Sequence, residues 1–139
     1  MRFSLTLALV AIGTALFAQN PADIFHKTVD LDAVNEVSLD VYANDNYEVR
    51  QWPGDDILVE TSVKITNAKP SLLQFFLENN RYDLGANVTG DRMQLISTDK
   101  TRRQIQGREG TTTEDVAIVV YMPEEFTDAG SNTYRRKSK

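Results

Sequence analysis

His26 is the single histidine of this 139-residue chain, and cysteine is absent. Hydroxyl nucleophiles such as Ser38, Ser62, Ser71 or Ser97 need a base beside them. His26, early in the chain, reads as an exposed strand histidine instead. Zinc favours His and Cys ligands, so one histidine argues against a structural zinc site. Asp40, Asn44, Asp45, Asn46 and Glu48 crowd one turn with oxygen donors of the kind calcium takes. They lack the twelve-residue loop with its fixed glycine and closing glutamate, and an ordinary polar turn is the expectation. Asp55-Asp56 and Glu124-Glu125 are adjacent pairs. Neighbours on a strand point to opposite faces, whereas acid–base hydrolysis needs two carboxyls facing one another across a cleft. The expectation is a chain with no catalytic, metal-ligating or cofactor-binding residues.

Binding chemistry has more to work with. Tyr42, Tyr47 and Trp52 fall near one turn. On a shared exposed face they could stack on sugar rings; Trp52 suits turn packing equally well. Lys100, Arg102, Arg103 and Arg108 form a basic patch suited to an acidic glycan, a lipid headgroup or an acidic partner. No aromatic residues interleave there, so base stacking is not supported. The candidate contact residues are Trp52, Tyr47, Tyr42, Arg102 and Arg103. Asn87-Val88-Thr89 also matches the N-glycosylation pattern.

The first eighteen residues predict a destination outside the cytoplasm for this chemistry. Arg2 gives a positive start, an apolar run extends from Leu5 to Phe17, and Ala18 precedes Gln19-Asn20-Pro21. That is the layout of a cleaved secretory leader, and the run is shorter than the roughly 20 residues a spanning helix needs. Cleavage after Ala18 leaves 14 basic against 20 acidic residues, a net charge of −6. Nucleic acid and anionic membranes need a positive footprint, so neither is an expected partner. No later segment is apolar enough to span a bilayer as a helix. Without cysteine there is no disulfide and no lipid anchor on an N-terminal thiol.

Strands must position whatever does the work. Period-two alternation marks half-buried strands over residues 25–31, 37–41, 47–51, 57–65, 82–88 and 93–96. The segments 37–41 and 47–51 read as a hairpin around Asn44-Asp45-Asn46. Residues 116–122 are apolar on both faces, as in a central or covered strand. A short strand near Ile105 completes the set. Ser71 and Gln74 fit a capping box, with Leu72, Leu73, Phe76 and Leu77 on one helical face. The fold class is mainly β: an antiparallel sheet or sandwich of about seven strands with one short helix. The leader covers residues 1–18, a single β-rich domain 19–126, and a basic disordered tail 127–139.

These elements carry a family resemblance. The strands 37–41 and 57–65, the run Asn79-Asn80-Arg81-Tyr82-Asp83, and Glu114-Asp115-Val116 leading to Val120-Tyr121-Met122-Pro123 resemble a bacterial envelope family. It is the adhesin-like β-domain family of unknown function, related to adhesin head domains. The resemblance spans about residues 25–126. It implies a fold whose longer members continue into stacked strands, so that this chain would be the start of a truncated β-solenoid-like fold. It transfers no catalytic residues. The expected function is an exported, non-enzymatic envelope domain with a structural or adhesion-like role toward an envelope protein or glycan, in the periplasm, on the outer surface or outside the cell. The alternatives are a periplasmic module for a glycan or small molecule near Trp52 and Tyr47, and a small hydrolase using acidic residues.

Overall fold

Alternation in the strands sorts the side chains into two facing layers. In the computed structural model, which describes residues 20–107 and 110–138, Ile57, Val59, Thr61, Val63 and Ile65 are all buried, with their sequence neighbours half-buried or exposed. The leader and Arg108 lie outside the described residues. In chain order the elements are β1 (Ala22–Val29), β2 (Glu36–Asp40), β3 (Asn46–Trp52), β4 (Ile57–Thr66), α1 (Pro70–Glu78), β5 (Leu84–Thr89), β6 (Arg92–Ser97), β7 (Ile105–Gly107), β8 (Gly110–Pro123), β9 (Phe126–Asp128) and β10 (Thr133–Arg136). Two five-stranded sheets result. Sheet A runs β1-β4-β8-β3, with β7 on the start of β8; sheet B runs β5-β6-β2-β10-β9. The core lies between them: Val59, Val63, Ile118 and Val120 from one sheet share a cluster with Val37, Leu39, Met93 and Leu95 from the other. This is the expected mainly-β sandwich with one helix, and β8 is indeed central, between β4 and β3.

The pairing departs from the sequence reading in two places. Residues 37–41 and 47–51 do not form a hairpin; β2 belongs to sheet B and β3 to sheet A. Their alternating patterns fit either sheet equally well, so only tertiary packing chooses the partner. Here the Tyr42 N–H donates to Ser97 Oγ at 2.8 Å, holding the end of β2 to the end of β6. Second, not all neighbours are antiparallel. β2 runs parallel to β6, and β3 parallel to β8. Parallel neighbours need long connections, and here the intervening chain passes through the opposite sheet.

The segment read as a disordered tail from residue 127 is folded. β9 and β10 extend sheet B, with Thr133, Tyr134 and Arg135 opposite Ser38, Val37 and Glu36. Its arginines have specific partners, which composition conceals. Arg135 meets Glu36 at 3.1 Å, and Arg136 bonds the Val34 carbonyl at 2.9 Å, with Glu125 2.5 Å away and the Phe126 ring beneath. The domain therefore reaches residue 136.

Helix α1 joins the two sheets. Its start differs from the expected capping box: Lys69 is the N-cap with no side-chain cap, and Pro70 opens the first turn, where a missing N–H costs nothing. Leu73 and Phe76 are its buried residues. Asn80 takes the left-handed conformation at φ 56°. Arg81 N–H then bonds the Phe76 carbonyl and Asn80 N–H the Leu77 carbonyl, the paired closure of a Schellman motif. That turn delivers Arg81 and Tyr82 to one end of the sandwich.

Candidate functional site

Three connections meet at that end: residues 41–45 between β2 and β3, residues 79–83 after α1, and residues 98–104 between β6 and β7. The first folds back on itself, with Asp45 N–H bonded to the Tyr42 carbonyl and Asn44 Nδ2 donating to the Tyr42 hydroxyl. This aims the Asp45 carboxylate inward. The third connection sends Arg102 to meet it. The two guanidinium nitrogens donate to the two carboxylate oxygens at 2.5 and 2.7 Å, and each side chain is only 3% exposed. The guanidinium carbon lies 4.6 Å from the centre of the Tyr42 ring and 5.0 Å from that of Tyr82. Rings so placed attract a cation through their negative faces. Arg102 Nε alone has no described partner.

Tyr82 links this pair to a second one. Its hydroxyl donates to Glu114 Oε1 at 2.5 Å, and Arg81 donates to the same carboxylate through Nε at 2.7 Å and Nη2 at 3.1 Å. Arg81 also bonds the Arg103 carbonyl at 3.0 Å and lies over the Phe76 ring, whose edge packs on Tyr82. Burial opposes the charge on Glu114, but the bonds from Arg81 and Tyr82 outweigh it, and the carboxyl is held below its ordinary range. Burial, reinforced by Glu114, pushes the Tyr82 phenol above its ordinary value. Burial also opposes the Arg81 charge, and Glu114 more than compensates. The cluster thus consists of charged partners already engaged with one another. Chemically it pins three connections together at the mouth of the sandwich.

The residues singled out from sequence separate into three places. Arg102 and Tyr42 come together, but as a buried contact and not as a docking patch. Arg103 has an exposed side chain and contributes its carbonyl, and Lys100 pairs with Asp40 at 2.5 Å. Within the basic stretch, Lys100 and Arg102 are thereby matched by acids. Trp52 and Tyr47 lie five positions apart on β3, on opposite faces. Trp52 packs beside Tyr121 and donates from Nε1 to the Asp56 carbonyl at 2.9 Å. Tyr47 borders Tyr134, whose phenol is raised by burial first and then by Asp128 and Tyr47. The three aromatics do not share a face. His26 meets Glu60 at 2.9 Å on the exposed side of sheet A. Among the described residues no three His, Asp or Glu side chains converge as metal ligands, and no helix is long and apolar enough to cross a membrane. A shallow groove of about 270 Å³ crosses the outside of sheet A between Ile24, Ser62, Lys64 and Ala117, far along the strands from Trp52.

Sequence reading missed Asp45, Arg81, Tyr82 and Glu114 as one unit. A usable signal existed for two of them: Arg81-Tyr82 directly follows the helix-closing Asn79-Asn80. Nothing local marks Asp45 as the partner of Arg102, 57 positions away. In comparisons with known proteins, no family model, curated protein or solved structure matches the chain, and nothing in them bears on the adhesin-head resemblance.

Proposed function

We propose that this chain is an exported, non-enzymatic β-sandwich domain with a structural or adhesion-like binding role in a cell envelope. The observation that carries the reading is the rim cluster. Asp45 with Arg102, and Glu114 with Arg81 and Tyr82, use the most buried ionisable groups of the sandwich mouth to brace loops. Such an arrangement favours a rigid scaffold presenting strand faces and edges over a reaction centre, where an acid or base stands ready beside an open cleft. The leader-like start supplies the destination, and the resemblance of the strand and turn motifs to envelope adhesin-like domains points the same way.

Cell fractionation tests the destination, and intact mass tests the processing. The expected product starts at Gln19 and is found outside the cytoplasm. Crosslinking followed by pull-down is expected to recover an envelope protein or glycan. A cytosolic product that keeps residues 1–18 would refute export.

A further inference from the structure

The backbone phase of β5 can be read from two hydrogen bonds. In an antiparallel pair each residue points its N–H and C=O to one side, and the side alternates along the strand. The Asp83 carbonyl accepts from the Thr98 N–H at 2.9 Å, across toward β6. The Leu84 carbonyl instead accepts from Lys27 Nζ at 2.8 Å, on the opposite side. Gly85, Asn87 and Thr89 therefore bond to β6, and Leu84, Ala86 and Val88 face outward. β5 ends sheet B, and among the described residues no strand lies beyond it. Lys27 covers the Leu84 carbonyl; the outward groups of Ala86 and Val88 have no neighbouring strand.

The outer strands β1, β3 and β9 carry guards of the kind that discourage pairing. On β1 the Asp23 carboxylate accepts the Ile24 N–H at 2.8 Å, and Lys27 points inward. β3 bears Glu48 and Arg50, and β9 is three residues long and ends in Asp128. Residues 84–90 contain neither a charged residue nor a proline, and Val88 is 56% exposed.

We propose that β5 is a self-recognition edge, where a second copy of this chain adds its own β5 antiparallel about a two-fold axis at Asn87. Ala86 then pairs with Val88 of the second copy, and Val88 with its Ala86, through four backbone hydrogen bonds. Val88 is covered by the opposing strand. The two Asn87 residues face one another, and an amide both donates and accepts. The paired segment, residues 85–89, carries no charge. This self-pairing stands independently of the envelope reading.

Sedimentation of the protein as its host produces it, over a concentration series, is expected to show a doubled mass. Asn87→Lys opposes two like charges on the axis and is expected to give a monomer. Gln94→Lys, one strand inward, carries the same charge and is expected to keep the dimer. The chain has no cysteine, so Asn87→Cys introduces a single thiol. Facing residues about 4.5 Å apart are within disulfide range, and oxidation is expected to link two copies. Glu48→Cys on β3 is expected not to link. A monomer at every concentration, linkage through Glu48→Cys in place of Asn87→Cys, or coupling of the Asn87→Cys thiol to a foreign chain would each overturn the proposal.

Discussion

Arg102 and Asp45 face each other through two parallel hydrogen bonds of 2.5 and 2.7 Å, with both side chains withdrawn from water. Removing one member of such a pair leaves the other charged and buried, at a cost of about 3–5 kcal/mol. Arg102→Ala and Asp45→Ala are each expected to lower the unfolding free energy measured in urea by that order. The double variant is expected to lose much less than the sum of the two. A double-mutant cycle with no coupling would refute the pairing.

The second ion pair imposes a pH dependence. Glu114 titrates below its ordinary value of 4.5 in the folded chain, so the unfolded chain takes up the proton first. Its contribution is present above the ordinary value and is lost as pH falls through the folded one. Tyr82 has the opposite sign: raised above 10.0, it stabilises fully below that value and loses its contribution as pH rises beyond it. Stability measured by denaturant across acid pH is expected to fall less steeply in Glu114→Gln, and Tyr82→Phe is expected to flatten the alkaline limb. Unchanged slopes in both variants would remove Glu114 and Tyr82 from the linkage.

Trp52 leaves no room for a side chain at residue 54. A Cβ on Gly54 would lie 2.3 Å from one indole carbon and 2.5 Å from another. Gly54→Ala is expected to displace the ring, shift the emission of this single tryptophan to the red, and cost about 1–3 kcal/mol as an overpacking change. Adding Gly54→Ala to a Trp52→Ala background is expected to cost little more. A blue-shifted or unaltered spectrum for Gly54→Ala alone would contradict the contact.

Lys27 crosses between the sheets to the Leu84 carbonyl and Asp83. Its ammonium is partly open to solvent, so Lys27→Met is expected to cost only about 1 kcal/mol. The more telling readout is hydrogen exchange. The amides of β1 and the start of β5 are expected to exchange faster in Lys27→Met, with β4 and β8 unaffected. Uniform acceleration across both sheets would mean that Lys27 supports global stability and does not tie these two strands.

Some of this was legible from residue order alone. The alternation of residues 57–65 identified β4, and the doubly apolar run 116–122 identified a central strand. Partner choice was not legible. Val37 and Leu39 bury one face whichever strand adjoins them, so the pattern could not say that β2 lies against residues 92–96 and 133–135. The C-terminal arginines read as solvated because composition registers their charge and not Glu36 or Glu125 across from them. The rim cluster was half-visible. Tyr42 and Arg102 drew attention as surface chemistry, but the acid that buries Arg102 could be found only in three dimensions.

The placement of β10 governs when the molecule can finish assembling. It lies between β2 and β9, and Arg135 reaches Glu36 across 99 positions of sequence. Contacts between such distant segments form slowly, because a long loop must close before they gain anything. A nascent polypeptide emerging from the amino end would therefore hold β2 without its β10 neighbour until residue 136 had been made. Assembly of the second layer waits on the arrival of β10 and not on the order in which the earlier segments appear.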